Sequence, residues 1–190
     1  MTRVLLALLL YATAPAWAQS PAWLTELRAG GHVLYLRHAS TDFSQNDAAM
    51  KSFQDCASQR NLTDKGRDEA RVIGEHVKRL KIPIGSVLAS PFCRTMETAR
   101  LAFGKAQPSN EVRGGPVRSD DPARYAALKK LLSGSVPKGE NLVLSSHGNP
   151  FQAVAGPPDL AEGEIAVVKP QQDSFAIVSR IRVEDWQALK

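Results

Sequence analysis

The chain has 190 residues and a formal net charge of +5, from 24 Lys and Arg against 19 Asp and Glu. That length fits one ordinary domain with a real core, and the mild positive balance favours anionic substrates. Aromatic residues make up only 6% of the chain and do not interleave with the basic ones, which argues against a base-stacking nucleic-acid surface.

The first 18 residues read as a signal peptide. Arg3 gives a positive start, residues 4–12 are an unbroken apolar run, and Ala16-Trp17-Ala18 is a small-x-small cleavage site. Residues 19–190 are then expected as one mature domain, periplasmic or secreted, with a charge of +4 once Arg3 is removed. The apolar run is too short for a stable membrane anchor, and nothing later in the chain resembles a transmembrane helix.

In chain order, residues 21–28 suit a short helix closed by Gly30-Gly31, and residues 33–36 a short apolar strand entering Arg37-His38. Residues 42–60 are polar and irregular, which predicts a long loop over that strand end. Thr63 suits the N-cap of a helix over 64–80, with Ala70, Ile73, Val77 and Leu80 on one stripe and Pro83 beyond its end. Residues 86–89 form the next strand. Ser90 and Pro91 read as the cap and first position of a second helix, with Phe92, Met96, Ala99 and Phe103 inward and Gly104 as the stop. Asp121 and Pro122 predict a third helix start, with Tyr125, Leu128 and Leu132 inward. Residues 141–144 are a strand entering Ser145-Ser146-His147, Asn149-Pro150 starts a short helix, and residues 164–168 and 174–181 form a closing hairpin. Strands alternating with amphipathic helices predict an α/β three-layer sandwich with a mostly parallel central sheet flanked by helices.

Cys56 and Cys93 are the only cysteines. An even pair in an exported chain suggests a disulfide, and two separate buried thiols are the alternative. Without a CxxC or HxxxH pattern they are a poor zinc ligand set.

Basic residues gather where ligands of such sheets bind, beyond the carboxyl ends of the strands. Arg37 and His38 follow one strand, Arg94 follows the next by one helical turn, and His147 follows a third. Two guanidiniums and two imidazoles converging on one point suit a tetrahedral dianion such as a phosphoryl group. Helix amino termini after Ser90 and Asn149 point at the same edge and add to anion affinity. No Walker A motif or acidic metal cluster is present, so neither a metal nor another cofactor is expected.

These segments resemble the histidine phosphatase, or phosphoglycerate-mutase-like, superfamily. Leu36-Arg37-His38-Ala39 resembles its RHG/RHA signature, Ser90 to Ala99 its second arginine segment, and Ser146-His147-Gly148 its late histidine segment. Asn61-Leu62-Thr63 with Gly66-Arg67 is similar to its Leu-Thr-x-x-Gly helix start. The resemblance implies that His38 is a nucleophile forming a phosphohistidine, that Arg37 and Arg94 hold the phosphoryl oxygens, and that His147 donates a further hydrogen bond. It implies an exported, metal-independent phosphatase for a small phosphorylated substrate, with an envelope sugar phosphate as one candidate. A phosphohistidine-type protein phosphatase and a non-catalytic phosphoryl-binding envelope protein are the alternatives.

Family members often carry a carboxylic acid for the leaving group after the second arginine segment. That window holds Glu111, Asp120 and Asp121; Asp121 suits a helix cap, which leaves Glu111. Ser40 and Thr41 depart from the Glu-Ser of the mutases, which together with the short chain disfavours a mutase. Glu97 is placed to orient Arg94 or to form a surface i,i+3 pair. Arg60, just before Asn61-Leu62-Thr63, is within reach of a substrate but reads first as a solvated loop residue, His32 reads as structural, and His76 as solvent-facing.

Overall fold

The computed structural model describes residues 20–114 and 123–190. The expected leader over residues 1–18, and the expected helix start at Asp121 and Pro122 with Asp120 beside it, lie outside the described residues.

The five residues of β1 (Val33–Arg37) are apolar up to Leu36, and all four of those are fully buried. A continuous apolar strand needs cover on both faces, and period-two alternation divides it. Leu34 and Leu36 join one apolar cluster with Ile73, Val87, Val143 and Val167, while Val33 and Tyr35 join another with Leu128, Leu132, Leu144 and Phe151. The first cluster lies under α2 (Asp64–Arg79) and α3 (Cys93–Phe103), the second under α4 (Ala126–Ser133) and α5 (Gly148–Ala155). The leading helix α1 (Ala22–Ala29) adds Leu24 and Leu27 to the first. Each fully buried Leu or Ile contributes about 2 kcal/mol.

The sheet between these layers has six strands. They are β1, β2 (Ile84–Ala89), β3 (Gln107–Pro108), β4 (Asn141–Ser146), β5 (Ile165–Gln171) and β6 (Ser174–Ile181), in the spatial order β3-β2-β4-β1-β5-β6. β3, β2, β4 and β1 are parallel, and β5 runs against its neighbours β1 and β6. The sheet is therefore mostly parallel with one reversed strand, as the closing hairpin requires. β5 extends through Pro170, where its pairing is with β6 alone, so the missing N–H breaks no ladder on the β1 side.

α2 begins as expected: Thr63 Oγ1 accepts from the Gly66 N–H at 3.0 Å. Gly66 lies against the Ser40 carbonyl so closely that a Cβ there would collide with it, which lets α2 pack directly on the loop after β1. α3 starts later than the sequence suggests. Its N-cap is Phe92, without a side-chain cap bond, because Ser90 still belongs to the sheet edge: its N–H donates to the Ser145 carbonyl at 2.9 Å. Gly104 ends the helix in the left-handed region at φ 73°. His76 is half-buried rather than solvent-facing, stacked on Trp186 at 6.3 Å between ring centroids.

Cys56 and Cys93 are joined in a disulfide with their Cα atoms 5.7 Å apart. The bridge ties a 3-10 turn at Cys56–Ser58 to the first residue of α3. In the chain-entropy description, closing this loop contributes about 4 kcal/mol. Reduction is expected to lower the thermal midpoint by roughly 10 °C while altering turnover less than loss of Arg94 does. Paired thermal scans with and without reductant check this, and an unchanged midpoint contradicts it. Among the described residues no helix is long and apolar enough to cross a membrane.

Candidate active site

The parallel registers bring three strand ends level. Arg37 pairs with Ser146 across β1 and β4, and Ala89 pairs with Ser145 across β2 and β4. The residues that follow, His38, Ser90 and His147, therefore emerge side by side. They open into a cleft of about 550 Å³ whose walls include Arg37, His38, Arg60, Arg94, His147 and Asp47. The four residues expected from the sequence, Arg37, His38, Arg94 and His147, all line it.

His38 is 1% exposed. Its Nδ1 lies 3.0 Å from the Ala39 carbonyl oxygen. A carbonyl only accepts, so Nδ1 carries the ring proton and Nε2 keeps its lone pair. Burial pulls the His38 pKa down to about 3, partly opposed by the Ala39 carbonyl, and the Arg94, Arg37 and Arg60 charges add smaller downward contributions. The ring is thus neutral at neutral pH, as a nucleophilic imidazole must be.

His147 stands edge-on to His38, with centroids 5.4 Å apart, and edge-on to Phe92 at 5.1 Å. Its Nε2 is 2.9 Å from Ser90 Oγ, and its carbonyl accepts from Tyr35 Oη at 2.7 Å. Burial above all, with the Arg94, Arg60 and Arg37 charges adding to it, holds its pKa well below the ordinary value. Gly114 packs on this ring: a Cβ there would stand 2.6 Å from His147 Cδ2.

Arg94 is 5% exposed and is gripped by Asp47, with NH1 to Oδ1 at 3.0 Å and NH2 to Oδ2 at 3.1 Å. Its guanidinium also lies 4.5 Å from the Phe92 ring centre. Arg37 donates through NH1 to the Leu160 carbonyl. Arg60 sits 4.8 Å over the Phe43 ring. The Nε atoms of Arg37, Arg60 and Arg94 are buried, and none has a hydrogen-bond acceptor among the described residues. Three unpaired guanidinium donors on one cleft suit a ligand rich in acceptor oxygens, since an unsatisfied buried donor costs about 1–3 kcal/mol. α5 contributes its amino-terminal residues Gly148 and Asn149 to the same wall. The first N–H of α3 is not available there, because Cys93 N donates to Gln59 Oε1 at 2.9 Å.

Several expectations change. Glu97 does not orient Arg94; it pairs with Arg67 at 2.8 Å, across to α2. Arg60 is a cleft residue rather than a solvated one. Glu111 is exposed in a 3-10 turn at Asn110–Val112 and is not among the residues lining the cleft. The carboxylates that do line it are Asp47 and Asp159, and a third, Glu162, lies 3.8 Å from His38 Nδ1. None of these three follows a recognisable local motif. His32 is structural as expected, at the opposite end of β1, where its N–H donates to Asn141 Oδ1 at 3.0 Å. Among the described residues no group of three His, Cys, Asp or Glu is arranged to hold a metal.

The family model of the histidine phosphatase superfamily (branch 1) matches residues 33–114, from β1 through α3 to the turn that packs on His147. Over those residues the chain is similar to the histidine phosphatase superfamily. No curated protein matches the sequence. Solved structures share this fold over most of the chain. The protein histidine phosphatase SixA complexed with tungstate has a TM-score of 0.55 at 24% identity, covering 80% of this chain and 97% of its own. The protein of open reading frame Rv3214 from Mycobacterium tuberculosis has a TM-score of 0.57 at 19% identity, covering 78% and 95%. A mutant phosphoserine phosphatase from Entamoeba histolytica, in complex with phosphoserine, has a TM-score of 0.56 at 12% identity, covering 81% and 98%.

Proposed function

We propose that this chain is a histidine phosphatase, exported, that hydrolyses a phosphate monoester through a phosphohistidine on His38. The observation that carries the reading is the neutral His38 ring, with Nδ1 donating to the Ala39 carbonyl, set in a cleft with three guanidiniums whose Nε donors lack partners among the described residues.

Nε2 attacks phosphorus, the ester P–O bond breaks, and the alkoxide departs with its electron pair and takes a proton from water. Water then attacks the phosphohistidine, the N–P electrons return to Nε2, and the proton of the attacking water passes to solvent. Arg37 and Arg94 hold the equatorial oxygens and take up the charge that builds in the transition state, and the His147 edge with Ser90 supplies further hydrogen bonding. The bridge between Cys56 and Cys93 keeps the loop that carries Asp47 and Arg60 against α3. A leader over residues 1–18, a mature domain over 19–190 and the disulfide together support a periplasmic or secreted location.

A phosphohistidine substrate is the second reading. Glu111 stands away from the cleft, and Asp47 there is engaged by both terminal nitrogens of Arg94, so the exposed Asp159 at the cleft wall is the one lining carboxylate not held by Arg94. A phosphoramidate leaving group has less need of such an acid. SixA, by its name a protein histidine phosphatase, is among the structural relatives.

Parallel assays of p-nitrophenyl phosphate and a phosphohistidine peptide decide between the readings, and no turnover of either points to a phosphoryl-binding protein. An envelope sugar phosphate belongs in the following substrate screen. Activity is expected to survive EDTA, because the positive charge of the proposed mechanism comes from guanidiniums. A loss restored by zinc or magnesium would favour a metallohydrolase instead.

A further inference from the structure

Glu162 precedes β5 by three residues, and its position follows from the sheet. Leu36 pairs with Ile165 across β1 and β5, which brings the turn before β5 beside the residues after β1. The Gly163 N–H fastens that turn by donating to the His38 carbonyl at 2.9 Å and the Arg37 carbonyl at 3.2 Å. The Glu162 carboxylate then accepts from Thr41 Oγ1 at 2.7 Å and from the Thr41 N–H at 3.2 Å. Its Oε1 comes to rest 3.8 Å from His38 Nδ1 and 3.8 Å from Arg37 NH2. The side chain is 13% exposed and is not part of the cleft wall. It stands behind the imidazole, on the edge opposite the lone pair.

This placement answers an electrostatic problem. When Nε2 bonds to phosphorus and Nδ1 keeps its proton, the ring becomes cationic. Arg37, Arg60 and Arg94 all oppose that charge. Among the described residues, Glu162 is the one carboxylate within 4.0 Å of a His38 ring nitrogen.

We propose that Glu162 is a positioning residue for the nucleophile, holding the Nδ1 edge of His38 and balancing the positive charge the ring acquires when it takes the phosphoryl group. The idea rests on His38 being the nucleophile. No proton passes to Glu162. The electron pair of Nε2 forms the N–P bond, the pair of the broken P–O bond leaves with the alkoxide, and the carboxylate stabilises the charge left on the ring. Hydrolysis of the N–P bond reverses that charge. Glu162 reaches the anion only through Arg37, 3.8 Å away, so its effect falls far more on the covalent step than on anion binding.

The test uses p-nitrophenyl phosphate as substrate and inorganic phosphate as competitive inhibitor. Glu162→Gln keeps the shape and one acceptor but removes the charge. It should lower kcat/KM by about 30-fold and reduce the phosphoenzyme trapped under alkaline quench, with the phosphate inhibition constant changed by less than about threefold. Glu162→Asp should recover part of the loss. Thr41→Val, which loosens the carboxylate without removing it, should lower kcat/KM by about threefold, and it stands as the test if Glu162→Gln fails to fold. Wild-type kcat/KM and phosphoenzyme level in a folded Glu162→Gln protein overturn the proposal, as does wild-type kcat/KM in Thr41→Val should the first variant not fold. His38→Ala separates the two levels: if that variant keeps activity, the nucleophile assignment fails; if it is inactive and Glu162→Gln is not impaired, only the role of Glu162 fails.

Discussion

His38→Ala is expected to remain folded and to lose at least about 10⁴-fold in turnover. The backbone at this position is held independently of the ring, since the His38 N–H donates to the Ser146 carbonyl at 2.9 Å and its carbonyl accepts from Gly163. Removing a neutral imidazole therefore spares the sheet edge. What is lost is the one lone pair placed by the fold: Nδ1 is committed to the Ala39 carbonyl, and the low pKa keeps Nε2 free of a proton down to about pH 3. His147 cannot replace it, because its Nε2 already lies 2.9 Å from Ser90 Oγ. With labelled substrate and an alkaline quench, wild-type protein should carry label on His38 and lose it in acid, as a phosphoramidate does. Near-normal turnover in the folded variant, or label on another residue, refutes the mechanism.

The sequence discloses those parts of this site that sit on regular structure. Arg37 and His38 follow an apolar strand directly, and Ser145 to His147 end another, so a parallel α/β reading already places them at one edge. Arg94 is one turn along the following segment, and the motif survives even though α3 begins at Cys93 rather than at Pro91. Thr63 shows its cap role because Gly66 stands three residues on, where the N–H needs an acceptor. Asp47, Arg60 and Glu162 give no such signal. Each owes its position to a long-range fastening: Asp47 and Arg60 to a loop tied by the disulfide, Glu162 to an antiparallel register with β1. Glu97 shows the converse. Helical spacing puts it beside Arg94, but packing of α3 on α2 gives it Arg67 instead. Local periodicity describes an element and its faces; it does not describe which neighbour arrives at each face.

Arg94→Ala is expected to cost roughly 10³-fold in kcat/KM, for two reasons that can be separated. The first is the loss of a guanidinium aimed at the phosphoryl oxygens, a contribution that Arg94→Lys restores only in part because an ammonium lacks the planar fork. The second is Asp47. In the folded protein its two oxygens are matched to Arg94 NH1 and NH2, at 3.0 and 3.1 Å, and Arg94 is 5% exposed. Without that partner the carboxylate still lines the cleft, where it faces an incoming dianion without the guanidinium that was matched to both of its oxygens. Like charges in a partly dehydrated cleft repel by more than they do in water. The double variant Arg94→Ala/Asp47→Asn should therefore be more active than Arg94→Ala alone, by about tenfold, and most of that recovery should be in KM. Circular dichroism and thermal midpoints on each protein establish that folded species are compared. If the double variant is no better than the single one, Asp47 does not oppose the substrate and serves only to hold the loop. If Arg94→Ala itself costs less than about threefold, the second arginine is not part of the phosphoryl site.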